Sequence, residues 1–257
     1  MFKNLFGSKK EELPSEVIEQ AEVEVSPDTE LTQEYENDVE LEAASLEDLI
    51  ETDYTNPIES ETPVVDFGSE DLLNNPEVVG WFSTQEQELL FSALLLFYDP
   101  SKSVLDIGAG RADLYGYLKR TFNVDQINYK GIDYNPNVLE IAKQKYPGVV
   151  VESVDLLSID NGADYDWVFA SGLFNSKTQE DMGSYVTQCI EKMYEKSKVG
   201  IAFNMVTSLS DDMADEDKAQ FVVYDPAIWF PYLISRYNKV FARTDYMSGD
   251  ITFIILK

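Results

Sequence analysis

Histidine is absent from this sequence, and cysteine occurs once, at Cys189. An internal disulfide is therefore excluded, and so is a metal set built from several cysteines or completed by histidine. The lone thiol fits a reducing compartment, and cytoplasm is the expected location. Basic residues are scarce: 19 Lys and Arg stand against 48 Asp and Glu, for a net charge of −29. Nucleic-acid affinity depends on Lys and Arg displacing counterions, and no basic stripe is present, so unaided DNA or RNA binding is not expected. No apolar run reaches the roughly 18 residues of a membrane span. The opening "MFKNLFGSKK" lacks the apolar centre of a secretion signal, and its Phe2, Leu5 and Phe6 before Lys9 and Lys10 read as a frayed terminus.

The acidity is uneven. Residues 1–65 hold 19 acids against only Lys3, Lys9 and Lys10. From Glu11 to about Pro63, apolar residues are too scattered to offset the entropy of ordering the chain, so 1–65 is expected to be a disordered acidic tail. Within it Leu41, Ala44, Leu46, Leu49 and Ile50 fall near helical spacing, which reads as a solvated linker with helical bias. A basic protein is the kind of partner such a tail would dock on.

Residues 66–257 are expected to form one domain, alternating helix-like and strand-like segments in the manner of a parallel sheet. Ser83 and Glu86 make a capping box for a helix from about Thr84 to Tyr98. A strand at Ser103–Ile107 precedes a helix from about Arg111 to Phe122. The strand "NYKGID" then leads to a helix capped by Asn135, with Pro136 in its first turn. Strands follow at Val149–Val154 and Asp166–Ser171 around an Asn161-Gly162 turn, then a helix at about Gln179–Lys196 and a strand at Val199–Val206. After a polar loop and a short helix near Pro226–Ile234, two last strands, "KVFARTDY" and "ITFIIL", are joined tightly through Ser248-Gly249 and so run antiparallel.

In an open parallel sheet, ligands bind beyond the carboxyl ends of the strands. Here those ends are acidic or small: Asp106 with Gly108-Ala109-Gly110, then Asp133, Asp155, and Ser171-Gly172. The two glycines allow a sharp turn and close approach of a ligand, and the next helix is expected to present free N–H groups at Arg111 and Ala112. A dinucleotide fingerprint wants a third glycine where Asp113 stands, and a pyrophosphate there would face two carboxylates at a cost of about 1 kcal/mol or more. A ligand that is cationic at this point fits better than NAD, so a nucleotide-cofactor oxidoreductase is disfavoured.

"VLDIGAGRADL" (Val104–Leu114), "GIDYNP", Asp155-Leu156 and "ASGLFN" resemble, in order and spacing, the motifs of class I S-adenosylmethionine-dependent methyltransferases. The resemblance covers about residues 79–257. It implies a Rossmann-like α/β sheet of seven strands with a C-terminal antiparallel hairpin, and S-adenosylmethionine as cofactor. It places Asp106 near the ligand's ammonium, acting through water, and Gly108, Ala109 and Gly110 against its amino acid and ribose. Asp133, followed by Tyr134, would accept from both ribose hydroxyls. Asp155 and Leu156 would meet the adenine, Ser171 and Gly172 would lie beneath the sulfonium, and Trp81 would be a lid aromatic or a packing residue.

No acid or Asn followed by two prolines and an aromatic appears after the fourth strand, which argues against methylation of DNA base amines. Cys189 shares a helix face with Met182, Val186, Ile190 and Met193 and reads as a buried structural thiol, not the nucleophile of a pyrimidine methylase. Without histidine, any general base must be Asp, Glu, Tyr or Lys. The rim polar groups Asn175, Asn204, Tyr224 and Tyr246 are the candidates. The acidic stretch Asp211–Asp217 matches no metal loop and reads as a solvated insertion, so no metal is expected. The segments "SGLFN", "AFNMV" and "YDP" look like those of small phage and bacterial methyltransferases, which suggests a phage-encoded protein in host cytoplasm. The expected activity is methyl transfer to a small molecule or protein side chain. The alternative is a protein that keeps the fold without turnover and assembles through its acidic tail.

Overall fold

The computed structural model describes residues 73–76, 81, 83–211 and 213–257. The expected tail, with its N-terminal apolar-basic cluster and the segment 41–54, lies outside them, as does Asp212. Among the described residues, no helix is long and apolar enough to cross a membrane.

The chain order is α1 (Thr84–Leu94), β1 (Val104–Ile107), α2 (Asp113–Phe122), β2 (Tyr129–Asp133), α3 (Pro136–Lys145), β3 (Val151–Ser153), a 3-10 turn (Leu156–Ser158) and β4 (Tyr165–Ala170). It continues with α4 (Met182–Lys196), β5 (Ser197–Val206), α5 (Asp215–Lys218), α6 (Pro226–Arg236), β6 (Lys239–Arg243) and β7 (Asp250–Leu256). The strands form one sheet in the order β3-β2-β1-β4-β5-β7-β6. All pairs are parallel except those of β7, which runs antiparallel to both β5 and β6. This is the seven-stranded sheet with a terminal hairpin that the sequence led us to expect.

Helices cover both faces, so β1 is buried throughout and β4 and β5 are buried from Trp167 and Gly200 onward, where they read as largely apolar runs. On one face Leu105, Val168, Ile201 and Phe253 meet Val186, Cys189 and Ile190 of α4. On the other, Val104, Trp167, Phe169 and Ile254 meet Leu94 of α1 and Leu114 and Leu118 of α2. Each such side chain contributes about 1.5–3 kcal/mol through removal from water.

Several boundaries differ from expectation: β3 is only Val151–Ser153, β5 starts at Ser197, β6 stops at Arg243, and three helices are shorter. Helix α1 ends at Leu94, not Tyr98: the Leu95 N–H still donates to Phe91 O, but the Tyr98 N–H turns back to Leu95 O. That turn sets the Tyr98 ring edge-on against Phe122 and Phe169 in the core. Helix α2 begins at Asp113, two residues late, because Ala112 adopts a left-handed conformation with φ of 57°. Its N–H is not free, as expected from the sequence, but donates to Ala109 O at 2.8 Å. Helix α4 starts at Met182, where Asp181 caps it by accepting from Ser184 N.

The strand order reverses at β1, between β2 and β4, and a crevice opens there at the carboxyl ends.

Candidate functional site

A cleft of about 440 Å³ occupies that crevice, lined by the ends of β1, β2 and β4 together with Trp81 and the segment Gln220-Phe221. Its floor is the loop after β1. Gly108 and Gly110 take positive φ (68° and 52°), and the N–H groups of Gly108 and Ala109 both donate to Ile132 O, tying the loop to β2. Gly131 makes room for this: a Cβ there would stand 2.7 Å from that of Ala109.

Asp133 lies where β2 ends. Its Oδ2 accepts from Gly110 N at 3.0 Å and its Oδ1 from Asn135 N at 2.9 Å, so both oxygens are oriented by backbone. Burial pushes its carboxyl above the ordinary range, and the backbone N–H groups of Asn135, Gly110 and Tyr134 counter part of that. Exposed Tyr134 borders the cleft beside it.

Asp106 is 3% exposed and accepts a 2.6 Å hydrogen bond from the Tyr129 hydroxyl. Burial lifts its carboxyl to about 7; the Tyr129 bond opposes the rise, and the nearby Asp133 and Asp113 charges add to it.

Asp113 overturns the electrostatic picture drawn from sequence. Its Oδ2 takes Nη2 and Nε of Arg111 at 3.0 and 3.2 Å and Nε2 of Gln87 at 3.3 Å, while its Oδ1 takes Lys145 Nζ at 2.6 Å. Two cations thus neutralise the carboxylate that was expected to repel an anionic ligand. Arg111, itself 2% exposed, also donates through Nη1 to Asn75 O, fastening the segment before Trp81 to the floor of the cleft.

At the far end, β4 runs into Ser171 and Gly172. Gly172 has φ of 72°, its N–H donates to Asn204 Oδ1 at 2.8 Å, and a Cβ there would lie 2.8 Å from the Trp81 ring. Trp81 therefore both borders the cleft and packs over Gly172. The outer wall is a short ribbon: Ser176 bridges Phe221, Lys177 N donates to Gln220 O, and Val222 N donates to Asn175 O.

Asp106, the Gly108–Gly110 loop, Asp133, Tyr134, Ser171, Gly172, Trp81 and Asn175 all line this cleft. Other expected site residues do not. Asp155 caps the 3-10 turn by accepting from Leu157 N and is exposed, while Leu156 is buried in the core; neither borders the cleft. Tyr224 is turned inward, its hydroxyl donating to Phe174 O at 2.7 Å, so it braces the loop after β4. Tyr246 accepts from Thr252 Oγ1 and lies outside the lining as well. Asn204 is fully buried behind Gly172. Cys189 is buried, and desolvation pushes its thiol to about 12, which leaves no thiolate for nucleophilic work. Sequence reading missed Tyr129, Gln87 and Lys145, whose partners lie 23 to 32 residues away. It also missed the wall residues Gln220 and Phe221. Among the described residues, no group of three or more acidic, Cys or His side chains is placed to hold a metal.

A second hollow of about 330 Å³, beneath β1 and β4, is lined by Lys130 and Lys196. Those cations are paired with Glu152 and Asp164, so it offers no convergent chemistry.

Residues 104–195 match a family model described as a methyltransferase domain. No curated protein matches the sequence significantly. Among solved structures the fold is similar to that of human N-acetylserotonin methyltransferase in complex with SAM. That match has a TM-score of 0.51 and 14% identity, covering 74% of this chain and 56% of that one. It is also similar to coclaurine N-methyltransferase bound to N-methylheliamine and SAH, with a TM-score of 0.51 and 12% identity, covering 82% and 67%. The chain thus spans only about half the length of several of the structures it matches. The sheet order with its terminal antiparallel strand, and the likeness to these structures, give the chain the Rossmann-like fold of class I methyltransferases, and within it residues 104–195 are similar to the methyltransferase-domain model.

Proposed function

We propose that the cleft binds S-adenosylmethionine and that the protein transfers its methyl group to an acceptor seated beside Gly172. The observation that carries this reading is Asp133: a carboxylate at the end of β2 and at the cleft, oriented through both oxygens by backbone N–H groups, and able to accept from a vicinal diol. The Gly108 turn supports it, since a Cβ there would press on Leu173 at 3.0 Å and narrow the passage between the two ends of the cleft.

Bound there, the cofactor would supply a sulfonium methyl that is transferred by in-line displacement. The protein's part is placement. Asp133 would fix the ribose, the loop from Gly108 to Gly110 would hold the amino acid portion, and Asp106 would meet an ammonium whose positive charge favours its ionised form. Ser171, Gly172 and Leu173 would set the approach of the acceptor, where alignment within near-attack distance supplies much of the acceleration. The residues lining that end, Trp81, Ser171–Leu173, Asn175, Ser176 and Thr178, include no acid or base. An acceptor that arrives with a free lone pair needs none.

Titrating S-adenosylmethionine and S-adenosylhomocysteine into the full chain by calorimetry tests this. Micromolar binding is expected for both, weakened at least tenfold by Asp133→Ala. Absence of binding to the wild-type protein would refute the reading.

A further inference from the structure

Asp106 is a buried carboxylate at the cleft, and among the described residues no ion pair includes it. The cations that reach the start of α2, Arg111 and Lys145, are both held by Asp113. What holds Asp106 is neutral: the Tyr129 hydroxyl, which donates to Oδ2 at 2.6 Å.

The sequence builds this contact around a glycine. In the register of β1 with β2, Asp106 stands opposite Gly131 and Val104 opposite Tyr129. Tyr129 and Gly131 share a face of the sheet, so the tyrosine side chain reaches Asp106 by passing over the glycine. Its hydroxyl lies 3.0 Å from where a Gly131 Cβ would stand. Tyr129 is buried, and its ring packs 5.2 Å from that of Tyr115 on α2, which fixes the direction of the hydroxyl. Tyr129 does not line the cleft, so it acts on a ligand only through Asp106.

A buried carboxylate without a counter-ion favours its protonated form, and a proton removes the charge that an ammonium would meet. A hydrogen bond donated to the ionised form works the other way. Burial lifts Asp106 to about 7, the Tyr129 bond opposes that rise, and the charges of Asp133 at the end of β2 and Asp113 at the start of α2 add to it. Tyr146, after α3, acts on Tyr129.

Resting on the cofactor reading above, we propose that Tyr129 is a positioning residue: by holding Oδ2 it keeps Asp106 an oriented anion, so that the cleft selects ligands carrying an ammonium over the nucleoside alone.

Calorimetry on the full chain with S-adenosylhomocysteine and 5′-methylthioadenosine tests this, because the second ligand keeps the adenine and ribose but lacks the amino acid. The ratio of the two affinities isolates the Asp106 end, since titration of Asp133 acts on both ligands. In the wild type the ratio should favour S-adenosylhomocysteine and rise about tenfold or more from pH 5.5 to pH 7.5, as Asp106 loses its proton. Tyr129→Phe keeps the ring against Tyr115. At pH 7.5 it should lower the ratio about fivefold or more, regain part of that at pH 8.5, and leave 5′-methylthioadenosine affinity within about twofold of wild type. Asp106→Asn should leave the ratio low and flat with pH. If both ligands bind the wild type with a ratio that does not change with pH, or Tyr129→Phe leaves the ratio as it was or weakens both ligands alike, the assignment to Tyr129 is overturned and the cofactor reading survives. If neither ligand binds the wild type, both fall.

Discussion

Replacing Asp106 with Asn should make the protein more stable at neutral pH while weakening its ligand site. The carboxyl is 3% exposed, and burial raises it from the ordinary 3.8 to about 7. Between those values the native state holds a proton that the unfolded chain has already released. Stability therefore falls as pH rises from about 4 to about 7, and is flat with respect to this group above that. At about 1.4 kcal/mol per pH unit, the penalty at pH 8 is as much as about 4 kcal/mol. Asn removes it and can still accept from the Tyr129 hydroxyl through its Oδ1. Other carboxyls titrate in the same window, Asp250 among them at about 6, so the informative quantity is the variant minus the wild type. Urea unfolding at pH 4.5 and pH 8 should show that difference growing by about 2–4 kcal/mol, or 1–2 M in midpoint at roughly 2 kcal/mol per M. A gap that is equal at both pH values, or larger at pH 4.5, would show that Asp106 is not held near-neutral by burial.

Two further substitutions probe the floor of the cleft. Asp113→Leu deprives buried Arg111 of its carboxylate and should cost about 3–5 kcal/mol in urea unfolding, whereas adding Arg111→Met should recover most of that loss; equal losses in the single and double variants would contradict the pairing. Gly131→Ala places a methyl 2.7 Å from Ala109 Cβ and 3.0 Å from the Tyr129 hydroxyl, so it should cost about 1–3 kcal/mol and weaken S-adenosylhomocysteine binding at least tenfold in calorimetry. Unchanged affinity in a folded variant would refute the link from β2 to the glycine loop.

The sheet was legible in the sequence because its signals are local. Capping at Ser83 and Asn135, the Gly108-Ala109-Gly110 turn and the short link before β7 each involve neighbours in the chain. The placement of Asp106, Asp133 and Gly172 at the cleft followed, since strand direction alone puts strand ends on one rim. What escaped depends on distant partners. Asp113 read as an unneutralised carboxylate facing the ligand because the partners that neutralise it, Arg111 and Lys145, with Gln87, reach it from the glycine loop, the end of α3 and α1. Asp155 looked like a ligand residue, yet it caps the short turn after it, which buries Leu156 in the core, and neither residue borders the cleft. Tyr224 carried a hydroxyl suited to catalysis, and only the fold shows it spent on Phe174 O.

Strand β7 follows β6 in the chain but lies between β5 and β6 in the sheet. Strand β5, which carries Asn204, therefore has one open edge until residues 250–256 have been synthesised and have threaded into place. Until then a ten-residue, largely apolar strand displays unpaired N–H and C=O groups, an edge on which a nascent chain can join a neighbour instead of itself. Pairing with β7 places Asn204 opposite Thr252, so the wall beside Gly172 is complete only with β7 in place, and a chain without that pairing would have neither a closed core nor a finished site.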